Sequence, residues 1–490
     1  MKRVAYTIFL KILLHRVVCI LVCTLPFTMN GVNAQGNGSI SQKSIQELVD
    51  SGIYFGTIPF IKETLYSSGN GVDAALNEII DDIVAHVGLR QFEALSIDVL
   101  ERSRASTLRY VLAKKYFNKG DYNSALNTLE GLERHGKTLA PFISHLKASA
   151  LAILKKSDEA SRNYDECVGQ AAKAISSGGH TALRKRQLIT LRDSCLVGIG
   201  RMYFASAKFE KSILSYLDLQ KKSPIWPEIL FEEAWASFYT RDFNRTLGKL
   251  VTYKAPVLEY IFNPEIEVLS ALTYLEMCLF GDAKKSADNF YAKYQRGYLG
   301  LLNLVKSMKS DYRSYYSLLK QRDKVSFDPL VIKLLKDIWR DPATQELFQQ
   351  IEAGKQEVAP IKAIGSGKLK LVVARNLKDS LILHRDIIGR YVKKRLIYHA
   401  RLLDKSFEDM SYIKLEILSN MKGQILGING ERARGDIKFL ERNEKQYFWT
   451  FNGEFWADEL GDYVFSLKSE SITDIRPTPS SLAPKGFIPF

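Results

Sequence analysis

Glycine and proline are scarce in this chain, 31 and 14 among 490 residues, or about nine per cent together. That is too little for a collagen or a turn-rich all-β protein, and it favours helices. Acidic residues are outnumbered too, 54 against 69 Lys and Arg, for a net charge of +15. No apolar run reaches the roughly 20 residues that a membrane-spanning helix needs. Several chemical signatures are missing as well. There is no Gly-x-Ser-x-Gly elbow, and no histidine pair stands at helical metal-binding spacing beside a carboxylate. Gly365-Ser366-Gly367-Lys368 has Lys362 where a phosphate loop needs its first glycine and Leu369 where it needs a hydroxyl, so it reads as a linker. What is present is a globular composition, 46% apolar and 11% aromatic, which excludes disorder. None of it names a reaction, a cofactor or a metal, and length alone allows several domains or one solenoid.

The first residues carry Lys2, Arg3, Lys11 and Arg16 without an acid, then an apolar run from Val17 to Phe27, then Val32-Asn33-Ala34. This order predicts a secretory signal peptide over residues 1–34, cut before Gln35, and hence an exported protein. Val18 and Val22 precede Cys19 and Cys23 where a lipoprotein signal needs a small residue, which argues against lipidation. Loss of four cations lowers the net charge from +15 to +11 and leaves Cys167, Cys195 and Cys278. Cys167 and Cys195 flank His180 by 13 and 15 residues. An antiparallel helix pair turning there would bring them level, either as a disulfide or as two buried thiols.

Small residues open similar segments at Ala113, Ala148, Gly200, Ala234 and Ala271, at steps of 35, 52, 34 and 37. Three steps match a 34-residue helix–turn–helix period, and the long one is that period plus 18 residues around Ser176-Ser177-Gly178-Gly179. Each unit then places apolar or small partners further on. They are Tyr116, Ala125 and Leu129; Leu151, Ala160 and Tyr164; Tyr203, Phe209, Ser212 and Tyr216 before Pro224; Phe243, Thr246 and Leu250; and Tyr274, Ala283 and Ala287. This spacing over residues 106–293 resembles the tetratricopeptide repeat family. The resemblance implies a right-handed superhelix of hairpins that binds peptides or protein segments in a concave groove. The copies depart from the family in lacking its leading tryptophan, in Thr246 for a smaller residue, and in Cys278 for a turn glycine. More narrowly, the stretch from Trp226-Pro227-Glu228 to Asn263-Pro264-Glu265 is similar to divergent-repeat envelope proteins of predatory and gliding bacteria.

Around the repeats, residues 35–105 read as an N-terminal helical cap and 294–364 as a helical extension. Residues 365–440 carry a long basic helical pattern with Leu377, Leu381, Ile388, Val392, Leu396, Leu403, Phe407 and Met410 in its seam, suited to a coiled-coil-like pair or a single long helix. In 441–475, Tyr447-Phe448-Trp449-Thr450-Phe451 and Glu454-Phe455-Trp456 flank Asn452-Gly453, which predicts a small aromatic β-hairpin, with Tyr463–Leu467 as a third strand. Residues 476–490 form a proline-rich tail. The fold class expected is therefore all-α, a helical-hairpin solenoid followed by long helices and a small C-terminal β element.

The function expected is a non-catalytic protein-binding scaffold or adaptor in a periplasmic envelope complex. An anionic envelope polymer is an alternative partner to protein, and nucleic acid is not expected. The candidate partner-binding residues are Glu232, Trp235 and Tyr239, expected on a groove-lining helix, and Arg390, Lys393, Lys394 and Arg395. The last four are the densest part of an excess of eight positive charges between Lys368 and Lys405, where mutual repulsion calls for an anionic partner. The competing classes are a purely structural spacer and a cell-wall-acting enzyme. For the enzyme, Glu470-Ser471 is the only tempting dipeptide, while Asp458, Glu459 and Asp462 beside Trp449 and Trp456 read either as a ligand contact or as a hairpin core.

Overall fold

A computed structural model describes residues 40–68, 72–132, 139–178, 182–323, 327–365, 367–425, 447 and 453–468. The leader, His180, the tail, Glu470-Ser471 and residues 448–452 of the aromatic segment lie outside the described residues. Among the described residues the protein is all-helical, with no strand. No helix among the described residues is long and apolar enough to cross a membrane. The chain divides into two compact units, one from residues 1–229 and 299–400, the other from 230–298 and 401–490.

Five helical hairpins recur along the chain. They pair Ser106–Asn118 with Tyr122–Leu129, Ala140–Ile153 with Ser157–Ser177, Ala182–Ala205 with Phe209–Leu217, Trp226–Tyr239 with Phe243–Val251, and Glu265–Glu276 with Phe280–Met308. Three residues join each pair. The middle one, Gly120, Lys155, Ala207, Arg241 or Cys278, is left-handed, with φ between +56° and +84°. The next amide donates to the carbonyl five residues back, from Asp121 to Tyr116, Lys156 to Leu151, Lys208 to Tyr203, Asp242 to Ser237 and Leu279 to Tyr274, all at 2.9–3.0 Å. The bond satisfies a carbonyl that the helix end leaves without a partner, and the left-handed residue reverses the chain.

The same register sets the helix crossings. Seven residues before each left-handed position stand Ala113, Ala148, Gly200, Ala234 and Ala271, and five after it Ala125, Ala160, Ser212, Thr246 and Ala283, all buried. Small side chains there let the paired helices approach. At Gly200 the approach is closest, since a Cβ would lie 2.2 Å from the Tyr216 ring. Gly198 receives Tyr164 of the preceding hairpin in the same way, at 2.6 Å. The first three hairpins belong to the first unit, and the crossing points of the last two to the second.

In the first unit, helices Gln42–Asp50, Ile58–Ser67 and Ala74–Val87 share one apolar core with Leu108, Val111 and Leu112 of the first hairpin and with Ile361, Val373 and Leu377 from late in the chain. Glu357, buried among them, accepts from the amides of Tyr54, Phe55 and Gly56 at 2.7–3.0 Å. Cys167 and Cys195 are joined by a disulfide, with Cα atoms 6.2 Å apart, in a core with Ala148, Ala160 and Tyr164. The long basic pattern is one helix, Gly367–Ile425, of 59 residues. Its buried positions Leu377, Ile388, Val392, Leu396, Leu403 and Met410 follow the expected seam.

The β element is corrected. Tyr463–Leu467 is extended but forms no ladder, because its main-chain groups go to a helix of the second unit instead of to another strand. Trp456, expected in a hairpin core, is 48% exposed; its amide donates to the Tyr463 hydroxyl oxygen at 3.0 Å.

Candidate functional site

Two sets of residues were expected to face a partner, and the structure puts both largely to internal use. Glu232 and Trp235 are each 1% exposed and Tyr239 is half-buried. The Trp235 ring lies 5.6–6.4 Å from those of Phe231, Phe238 and Tyr239. Apolar neighbours on all sides of this helix draw its middle into the core of the second unit, so it does not present these groups as a groove lining. Helical periodicity finds the apolar face but cannot tell a groove from a core.

The basic cluster sits on the part of the long helix that belongs to the first unit. Arg395 lies 3.5 Å from Asp337 and 3.7 Å from Asp341. His399 stands 3.3 Å from the same Asp337, and the Tyr391 hydroxyl donates to Asp341. Lys393 donates to Ser310 at 3.2 Å, and both it and Arg390 lie over the Tyr312 ring, at 5.9 and 5.0 Å. Lys394 acts on Glu93: burial would raise that carboxyl, but Lys114, Arg90 and Lys394 together hold it down at about 2. The anions that relieve the repulsion are therefore acids of the same chain. No sequence spacing reveals this, because Asp337 and Glu93 lie 58 and 302 residues away from Arg395.

A different arrangement in the second unit has the character of a recognition site. Residues 457–462 form a turn that places Gly461 at one end of the helix Phe243–Val251, and residues 463–467 then run along that helix in the opposite direction. At the near end, Gly461 donates its amide to the Thr252 hydroxyl at 3.2 Å and accepts from Lys249 Nζ at 3.2 Å. In the middle the Tyr463 carbonyl sits on Gly248, where a Cβ would be 1.7 Å away. At the far end the Phe465 amide donates to the Asn244 carbonyl at 3.0 Å. The Asn244 side chain meets Leu467 twice, its Oδ1 accepting from the amide at 2.9 Å and its Nδ2 donating to the carbonyl at 3.0 Å. Lys249 is also paired with Glu233, both nearly buried. Burial raises the Glu233 carboxyl against the pull of Lys249.

Sequence reading passed over Asn244 and Gly248. The signal available was a glycine inside an otherwise strong helix, which costs about 1 kcal/mol against alanine and so marks a close approach. No group of three or more His, Cys, Asp or Glu among the described residues is placed to hold a metal ion. Two cavities between helices Gln42–Asp50 and Ala74–Val87 are lined by no histidine or cysteine. The chain matches no protein-family model and no curated protein.

Proposed function

We propose that the protein is an exported, non-catalytic scaffold that binds other proteins in a bacterial cell envelope, built as a divergent tetratricopeptide-like, right-handed solenoid. The observation that carries this reading is the recurrence of one hairpin five times, with a left-handed residue and two small buried residues in fixed register. A single hairpin cannot bury its own apolar faces, so repetition of this unit is the economy of a stacked scaffold. The Cys167–Cys195 disulfide supports an oxidising compartment, in keeping with the basic, apolar and small-residue order of residues 1–34. The test is affinity capture from envelope extract with the tagged full chain. A stoichiometric partner supports the scaffold, none supports a spacer, and turnover of cell-wall fragments supports an enzyme. N-terminal sequencing of the secreted product should begin at Gln35.

A further inference from the structure

We infer that the face of helix Phe243–Val251 built by Asn244, Gly248, Lys249 and Thr252 is a main-chain-reading peptide site. The chain's own residues 460–467 fill it, and it accepts in exchange a Gly-x-Tyr segment of another polypeptide that turns at its glycine and runs on along the helix. The inference deepens the scaffold reading, and rests on it, by naming the class of partner and the surface that takes it.

The argument begins with what is recognised. Five hydrogen bonds across this face end on backbone atoms of Gly461, Phe465 or Leu467. Gly248 admits a carbonyl, which every residue carries. Helix side chains that satisfy an extended backbone do for one segment what a sheet edge does for an added strand, with affinity from the main chain and choice from alternate side chains. The side chains divide accordingly. Leu460 and Tyr463 are 8% and 7% exposed, whereas Asp462 and Val464 face solvent. Gly461 has φ +90°, a conformation that other residues rarely adopt. The site therefore asks for a glycine, an aromatic residue two places on and free main-chain groups beyond it, and it leaves the side chain at 464 in solvent. Because Glu233 already balances Lys249, the segment needs no net charge at its glycine carbonyl. A helix-interior glycine weakens a helix, and Gly248 is accounted for once a peptide carbonyl is seated on it.

The cis segment competes by proximity. A tethered ligand acts at an effective concentration of order mM, so a trans peptide binds the intact site weakly and binds well when the cis segment cannot seat. The test uses a fluorescein-labelled peptide of residues Leu460–Lys468 and fluorescence anisotropy with three full-length proteins. They are the unaltered chain, Gly461→Val, and Gly461→Val combined with Gly248→Ala. The expected result is affinity for Gly461→Val at least tenfold above that for the unaltered chain, abolished by Gly248→Ala with helical circular dichroism retained, since alanine is the better helix former. Absence of binding to Gly461→Val, or binding that Gly248→Ala leaves intact, overturns the inference. Should Gly461→Val fail to fold, excess peptide added to the unaltered chain must speed hydrogen exchange at the Phe465 and Leu467 amides, and Asn244→Ala must remove the effect; no change in exchange overturns the inference equally. Envelope capture is read separately. A stoichiometric partner held by a chain that binds no peptide leaves the scaffold and removes this site.

Discussion

The two units seat a backbone carbonyl on a helix in different ways. Each contains a helix-interior glycine that receives a backbone carbonyl: Gly389 takes Tyr312, with a Cβ position 1.9 Å from the oxygen, and Gly248 takes Tyr463, at 1.7 Å. In the first unit the carbonyl belongs to the first turn of helix Tyr312–Lys320, part of a charged interior. There Arg395, Asp337, Asp341, Glu93 and Lys114 are partnered, and burial lowers the His145, His384 and His399 imidazoles. In the second unit the carbonyl belongs to an extended segment, and the interior is aromatic. Phe290, Tyr291 and Tyr298 gather on Phe407 at 5.0–5.7 Å. Helix-on-helix closure is tied down by side chains from several elements, whereas closure by an extended segment rests on a few main-chain bonds and can be exchanged.

The largest test of this contrast is the disulfide. Replacing Cys167 and Cys195 by Ser should cost about 3–4 kcal/mol on the chain-entropy estimate for a loop of 28 residues. The loss should appear in the thermal transition of the first unit alone, followed by hydrogen exchange. Equal loss in both units would mean that they unfold as one.

Acid should separate the units by sign. Burial holds the imidazoles of His145 and His384, both in the first unit, down at about 4. Unfolded, they titrate near 6.5. Their contribution is therefore complete above pH 6.5 and is lost as pH falls through 4, by roughly 3 kcal/mol each. In the second unit, burial aided by Glu265 and Glu408 pushes Asp409 up to about 6. Its contribution is present below its unfolded value and is lost as pH rises through 6. Between pH 7 and pH 5, exchange normalised for intrinsic rate should rise in helix Ala140–Ile153 and fall around Met410. Parallel changes would contradict the assignment.

Gly389→Val should cost about 2–3 kcal/mol, because the Tyr312 carbonyl belongs to helical backbone that cannot step aside. Denaturant midpoints measure it, and a neutral effect would make the first unit as exchangeable as the second. Asp409→Asn should stabilise the second unit by about 1–2 kcal/mol at pH 8 and by little at pH 4, since it removes a charge that burial disfavours. A gain independent of pH would point to packing instead. The smallest change, Ala207→Gly, relieves a left-handed alanine at φ +56° and should stabilise by about 0.5–1 kcal/mol. Gly120→Ala should reverse that sign at the equivalent turn, read by the same midpoints.

Much of the architecture was legible. The small residues at Ala113, Ala148, Gly200, Ala234 and Ala271 stand at one register in five hairpins, because a helix crossing tolerates few side chains and so leaves a periodic trace. The seam of the 59-residue helix was readable for the same reason. The turns were less so. Lys155, Ala207, Arg241 and Cys278 carry no glycine signal, yet tertiary packing holds them left-handed. The third-strand reading misled, since Tyr463, Val464 and Phe465 have strand composition and alternation, but main-chain partners come from Asn244 and its neighbours on a helix.

The partner residues divide in the same way. Trp235 was expected to line a partner groove, and the fold buries it inside the core; Arg395 was singled out for its charge, and Asp337 and Asp341 consume it. Periodicity, cysteine spacing and charge density are properties of neighbours along the chain, and from them the helices, the hairpin register and the level positions of Cys167 and Cys195 follow. Which charges are neutralised, which aromatic residues are hidden and which backbone an asparagine holds depend on residues hundreds of positions apart. Those pairings form only when burial makes an unpaired polar group costly, and so only folding in three dimensions selects them.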